Sequence, residues 1–153
     1  MQNEGISPHT INFICIFKAG SIARDVEMGI KIHVKIVSKC FPLKDIALGN
    51  ALVDMYAKCG LIIKAQDVLE ELPVQDVVSW NIMIDGCVQN EQNNKALSIY
   101  ERMQSEGLAP DSITFILILK ACSSIGLVEK GENFIKSFSG EDFWRMILFL
   151  ELL

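Results

Sequence analysis

Residues 1–19, MQNEGISPHTINFICIFKA, and residues 103–121, MQSEGLAPDSITFILILKA, align without a gap at an offset of 102 residues. About half of the aligned positions are identical. A shorter echo lies between them, because Gly49–Asp54 aligns with Trp80–Asp85 at an offset of 31 residues. Similarity at fixed offsets of this size is typical of repeat proteins, in which each repeat packs against its neighbours.

The echoes divide the chain into repeats of 36, 31 and 35 residues, which together span the larger offset. An ordinary helix bundle with chance similarity would not produce gapless echoes at fixed offsets. The predicted organisation is, in chain order, the end of a preceding repeat at 1–9, a long repeat at 10–45, a short repeat at 46–76, a standard repeat at 77–111, an incomplete long repeat at 112–137 and a divergent tail at 138–153.

Each repeat begins with apolar or small residues spaced i, i+3, i+4 and i+7, which is one face of an α-helix. The first repeat lacks the fourth apolar member, because Gly20 stands there. The stripes are Phe13, Ile16 and Phe17; Gly49, Leu52, Val53 and Tyr56; Trp80, Met83, Ile84 and Cys87; and Phe115, Ile118, Leu119 and Cys122. Second stripes follow at Ala65, Val68, Leu69 and Leu72, and at Ala96, Ile99, Tyr100 and Met103.

Helix stop signals separate these stripes. Gly60 follows one first helix, and Pro73 and the Gly107–Pro110 stretch follow second helices. We therefore predict an all-α fold, a right-handed α-α superhelix of antiparallel helix pairs at roughly 10–39, 47–72, 78–106 and 112–137.

Composition argues against several functions. The five cysteines are odd in number and form no CxxC pair, so we predict that they are buried, reduced and free of metal: Cys15, Cys40, Cys59, Cys87 and Cys122. No Gly-rich phosphate loop and no nucleophile with a base is evident, so we expect neither an enzyme nor a cofactor. The apolar end Met146–Leu153 is shorter than the roughly 20 residues that cross a bilayer, and no membrane partner is expected.

Three stretches carry a family resemblance: Asn50–Gly60 (NALVDMYAKCG), Asp76–Asn81 (DVVSWN) and Met103–Asp111 (MQSEGLAPD). A strict period of 34 residues would have indicated tetratricopeptide repeats instead. Over roughly residues 1–137 the chain resembles the pentatricopeptide repeat proteins of land plants, in particular the subclass that mixes long, short and standard repeats. The resemblance implies sequence-specific binding of single-stranded RNA in mitochondria or chloroplasts, for editing, splicing or stability. No transit peptide opens the chain, which suggests a fragment of a longer protein.

In this family one base is read per repeat, and the resemblance assigns the reading to the fifth residue of the first helix and the last residue of the repeat. The pairs that result here are Asn50 with Asp76, Asn81 with Asp111 and, more weakly, Ile14 with Asp45. Asparagine followed by aspartate is the family's combination for pyrimidines, favouring uracil, whereas isoleucine has no donor or acceptor for a base edge. Val78 and Ala47 lie where the family packs apolar side chains against base faces.

Other interpretations of these residues stay open. The three aspartates stand just before predicted helices, where aspartate is a favoured N-cap. The lysines near the ends of the first helices either face phosphates or complement a helix C-terminus: Lys18, Lys58 and Lys120. The formal net charge of −5 favours a protein-interaction scaffold slightly over a nucleic-acid binder. Editing or splicing factors are possible protein partners, and a non-functional truncated fragment is a further alternative. The zinc-deaminase signature that often follows such repeats is missing.

Overall fold

A computed structural model describes residues 8–38 and 45–136, and over these ranges the chain is helical without a strand. The helices are α1 (Pro8–Ala23), α2 (Val26–Ser38), α3 (Ile46–Lys58), α4 (Ile62–Glu71), α5 (Val77–Gln89), α6 (Asn93–Ser105), α7 (Ser112–Ser124) and α8 (Val128–Lys136). The predicted all-α helical-repeat fold is confirmed. Within the described ranges no helix has the length and apolar character needed to cross a membrane. Cys40 and the predicted tail at 138–153 lie outside the described residues.

The first helices of the pairs form one row, because α1 packs on α3, α3 on α5, and α5 on α7. The second helices lie against this row: α2 contacts α1 and α3, α4 contacts α3 and α5, and α6 contacts α5 and α7. Each second helix thus fills the groove between its own first helix and the next one. A single pair could not bury these faces, so the core is continuous along the solenoid.

Capping residues set the helix boundaries. Asp45, Asp76 and Asp111 each adopt extended backbone angles and accept a hydrogen bond from a backbone N–H in the first turn of the helix that follows. Gly60 ends the turn after α3 with φ +82°, a left-handed conformation that favours glycine. The first helix begins at Pro8, two residues before the predicted start at 10, because proline suits the first position of a helix.

The apolar stripes form the core except at parts of α1 and at Leu119 of α7, which is only partly buried. All eight stripe positions of α3 and α5 are buried, as are both second stripes. In α1, Phe17 is fully buried, but Ile16 is 36% exposed and the predicted burial of Cys15 is wrong. Cys15 lies two residues from both Phe13 and Phe17, and at about 100° per residue this places it on the opposite side of the helix. Cys87 and Cys122 are buried as predicted, whereas Cys59 is only partly buried.

The contact between α3 and α5 is close because a glycine faces an alanine. A Cβ atom built on Gly86 would lie 2.3 Å from the Cβ of Ala57. The side chain of Asn90 bridges the same two helices, since its Nδ2 donates to the carbonyl oxygens of Ala57 and Gly86, both at 2.7 Å. This contact fixes the spacing of the first helices, on which the predicted base-reading residues lie.

Candidate functional site

Asn81 lies at the junction of α5 and α7, and both ends of its amide are hydrogen-bonded. Its Nδ2 donates to Asp111 Oδ1 at 3.0 Å, and its Oδ1 accepts from the hydroxyl of Thr114 at 2.6 Å. Asp111 Oδ1 also accepts from the Thr114 backbone N–H at 2.9 Å. Asp111 therefore caps α7 and holds the Asn81 amide at the same time, so its capping role does not exclude the predicted reading role.

A groove of about 410 Å³ opens beside this amide, between α5 and α7. Val78 and Ile113 line it, with 54% and 53% of their surfaces exposed. Val78 stands three residues before Asn81 and thus on the same face of α5. Asp85 and Lys120 lie at the groove as well. The groove combines two exposed aliphatic side chains with one amide, an arrangement that suits a flat ring with a polar edge.

The two carboxyl groups at this groove differ in their pKa. Burial raises the pKa of Asp111, but the hydrogen bonds that it accepts from Thr114, Asn81 and the backbone of Ile113 outweigh burial, and the net pKa is lowered. Burial raises the pKa of Asp85; nearby Lys58 and a hydrogen bond from Gln89 oppose the rise only in part. Asp111 is therefore stabilised as a carboxylate where it holds the amide.

The preceding junction, between α3 and α5, is built differently. Asp76 Oδ1 accepts from the backbone N–H and from the hydroxyl of Ser79, both at 2.9 Å. Asn50 Oδ1 is buried without a hydrogen-bond partner. Within 45–136, where both residues lie, no hydrogen bond joins Asn50 to Asp76. The structure thus brings Asn81 and Asp111 together as a bonded pair, and it does not do so for Asn50 and Asp76.

The weaker pair, Ile14 with Asp45, has no polar connection to form. Asp45 Oδ1 accepts from the backbone N–H of Ala47 at 2.9 Å and caps α3. Ile14 is partly buried and packs on the core. Ala47 is exposed, as Val78 is. At this junction only the alanine presents an accessible apolar side chain among the predicted site residues.

The sequence interpretation missed two residues of the α5/α7 groove. Thr114 stands three residues after Asp111, and the structure shows a capping box between them. The Asp-x-x-Thr spacing could have indicated this. Ile113 corresponds to Val78 in the next repeat, so the repeat register could have identified it as a second groove wall.

The lysines have unequal surroundings. Lys58 Nζ forms an ion pair with Asp54 Oδ1 at 2.8 Å on the same helix, so its charge is already balanced. Lys120 is exposed and lines the groove, and Lys18 is exposed on α1. Across the described ranges no three His, Cys, Asp or Glu side chains cluster as metal ligands would. That the cysteines bind no metal stays a prediction.

The fold and the groove define a helical-repeat protein built from antiparallel helix pairs. The model of the PPR repeat family matches residues 75–124, and a second model, described as PPR repeat, matches residues 50–77. These matches show that residues 50–124 of the chain consist of pentatricopeptide repeats.

The chain is similar along most of its length to pentatricopeptide repeat-containing proteins of Arabidopsis thaliana. One is 37% identical over 141 residues, which cover 92% of this chain and 19% of the relative. Another is 41% identical over 135 residues, covering 88% of this chain and 24% of the relative. A third, whose name includes the word mitochondrial, is 36% identical over 137 residues, covering 90% and 21%. The chain therefore spans about a fifth to a quarter of the length of these curated relatives.

Proposed function

We propose that the chain binds single-stranded RNA and serves organellar RNA processing, in a mitochondrion or a chloroplast, with one base read per repeat. Asn81 with Asp111 reads one base, and Asn50 with Asp76 reads its neighbour. Both bases are pyrimidines on this proposal. The mixed long, short and standard subclass belongs to the same proposal, as does a role in recruiting an editing or splicing factor.

The observation that carries the proposal is the bonded pair of Asn81 and Asp111 across the junction of two repeats. The Asp111 carboxylate accepts one N–H of the Asn81 amide, and the Thr114 hydroxyl donates to one lone pair of its oxygen. The second N–H and the second oxygen lone pair are left for a ligand. A single-stranded base can offer a matching donor and acceptor on its exposed edge. The groove beside the amide is wide enough to expose half of Val78 and Ile113, against which the ring can stack.

The expected affinity of this chain is low. Each base that is stacked and read contributes roughly 1–3 kcal/mol. Two reading junctions give about 2–6 kcal/mol, which corresponds to a dissociation constant near millimolar. The net charge of −5 and the ion pair between Lys58 and Asp54 reduce the attraction to phosphates.

The test is a titration of the full chain, followed by NMR because the binding is weak, with pyrimidine-rich and purine-rich oligonucleotides. We expect tighter binding of the pyrimidine-rich strand, and a shift of preference towards a purine at one base for Asn81→Thr. Asn94→Thr makes the same chemical change at an exposed position of α6 and should leave binding unchanged. Equal affinity for both strands, or an equal effect of the two variants, would refute base reading and favour the protein-scaffold alternative.

A further inference from the structure

The hydroxyl of Thr114 lies at the centre of the bonded pair. Its side chain is fully buried. Oγ1 lies 2.6 Å from Asn81 Oδ1 and 3.0 Å from Asp111 Oδ1, and it accepts from the Asp111 backbone N–H at 3.1 Å. A carboxylate only accepts hydrogen bonds, so the nitrogen of the Asn81 amide must face Asp111 and its oxygen must face Thr114. Thr114 and Asp111 together hold both ends of the amide.

The preceding junction supplies an internal comparison. Ser79 stands three residues after Asp76, as Thr114 does after Asp111, and it is also fully buried. Its hydroxyl lies 2.9 Å from Asp76 Oδ1, whereas Asn50 Oδ1 is buried without a partner. No hydrogen bond within the described helices fixes which way the Asn50 amide faces. The two predicted reading amides therefore differ in how firmly they are held.

We propose that Thr114 is a positioning residue that, together with the Asp111 carboxylate, makes the α5/α7 junction discriminate between the two pyrimidines more strongly than the α3/α5 junction does. This inference rests on the proposed RNA binding. The pairing edge of uracil presents an N–H donor between carbonyl acceptors, whereas that of cytosine presents an acceptor beside an amino donor. An amide that turns over exchanges its donor and acceptor and fits either base. The Asn81 amide is held in one orientation and meets a base in a fixed donor–acceptor order.

The methyl group of threonine supports this role. A β-branched side chain has fewer χ1 rotamers than serine, so the Thr114 hydroxyl is kept towards the amide oxygen of Asn81. Ser79 lacks this restriction, and its hydroxyl is bonded within its own capping turn. The two junctions thus differ in this side chain and in the hydrogen bond between asparagine and aspartate, which only the α5/α7 junction has.

The experiment follows the side-chain amide NMR signals of Asn50 and Asn81 while the full chain is titrated with uridine monophosphate and, separately, with cytidine monophosphate. A mononucleotide occupies one junction at a time, whereas a strand that spans both junctions would give the same dissociation constant at both amides. Each amide reports its own junction in the same spectra. We expect the two dissociation constants from the Asn81 signals to differ about fivefold or more, the lower range for one base-edge contact. The Asn50 signals should give values within about twofold of each other, because the unfixed amide fits both bases.

Variants then assign the difference to the hydroxyl. In Thr114→Val the difference at Asn81 should fall to about twofold, and Thr114→Ser, which keeps the hydroxyl, should restore most of it. Ser79→Ala is the matched control and should leave the Asn81 difference unchanged. Since Thr114 also caps α7, folding of Thr114→Val is checked by circular dichroism; should it fail to fold, the comparison of Asn81 with Asn50 in the native chain decides.

The outcomes separate the two proposals. If both amides respond to RNA and Thr114→Val keeps the native difference, or if Asn50 discriminates as strongly as Asn81, RNA binding stands and the positioning role is overturned. If neither amide responds to these nucleotides or to the pyrimidine-rich oligonucleotide, the proposed function fails and the positioning role falls with it.

Discussion

The close contact of α3 and α5 makes Gly86→Ala a direct test of the packing. The added Cβ would lie 2.3 Å from the Cβ of Ala57, whereas carbon atoms in contact stand about 3.5–4.0 Å apart. The two helices must therefore separate by more than 1 Å, roughly the difference between those distances. Separation would also stretch the 2.7 Å hydrogen bond from Asn90 to the Ala57 carbonyl.

The expected magnitude follows from three contributions. Overpacking of this kind costs about 1–3 kcal/mol, and loss of the Asn90 hydrogen bond costs about 0.5–1.5 kcal/mol. The higher helix propensity of alanine offsets about 1 kcal/mol. We expect Gly86→Ala to lower the free energy of unfolding by roughly 1–3 kcal/mol. The assay is urea unfolding followed by circular dichroism at 222 nm, a general helix signal, with midpoint and slope compared.

Two further variants make this test specific. Gly20 also lies within a first helix, but a Cβ there would lie 3.7 Å from Met55 Cγ, an ordinary contact. Gly20→Ala should therefore stabilise the chain by up to about 1 kcal/mol. In the double variant Ala57→Gly, Gly86→Ala, the methyl group moves from α3 to α5, so part of the lost stability should return. A Gly86→Ala protein as stable as the native chain would refute the close packing.

Three other outcomes are expected. Glu91 has φ +60° in the turn after α5, a left-handed conformation for which the turns after α3, α6 and α7 use glycine. Because this conformation is strained for glutamate, Glu91→Gly should raise the free energy of unfolding by about 1 kcal/mol, and a loss of stability would contradict this. Burial raises the pKa of Asp85 in the folded state. The contribution of Asp85 to stability therefore falls as the pH rises from the pKa of this group in the unfolded chain to its pKa in the folded chain. Asp85→Asn should therefore be the more stable protein at pH 7 by urea unfolding, with an advantage that shrinks towards pH 4; an advantage independent of pH would count against the raised pKa. Burial raises the pKa of Cys87 to about 11, so iodoacetamide at pH 8 should modify exposed Cys15 and spare Cys87, as read by mass spectrometry of peptides; equal labelling would show that Cys87 is accessible.

The repeat organisation was accessible from the sequence because its signal is local. The spacing i, i+3, i+4, i+7 is a property of one helix, and it recovered the buried faces of α3 and α5 residue by residue. Gly60 and the three capping aspartates could be placed for the same reason, since a cap depends on the few residues around it. The first helix α1 packs on α3 on one side, and in the described ranges no other first helix packs on its opposite side. The local pattern therefore predicted more burial for α1 than the structure shows.

The residues proposed to read bases could be predicted from the sequence only in part. Family resemblance and repeat register placed Asn50 and Asn81 at equivalent positions, and from the sequence the two appeared interchangeable. The structure distinguishes them: one amide is bonded at both ends, and the oxygen of the other is buried without a partner. The bond from Thr114 to Asn81 could not be predicted from the sequence, because it joins residues of neighbouring repeats.

The sequence by itself determined the helices, their order, their buried faces and the equivalence of positions between repeats. These follow from a period of 3.6 residues and from short-range capping, which need no knowledge of neighbouring helices. Only the tertiary structure decided the 3.0 Å contact of Asn81 with Asp111 and the direction of the Thr114 hydroxyl. Those contacts join residues 30 and 33 positions apart, and they depend on how closely two helices approach. A hydroxyl has one proton, and the packing of α5 against α7 decides which acceptor receives it.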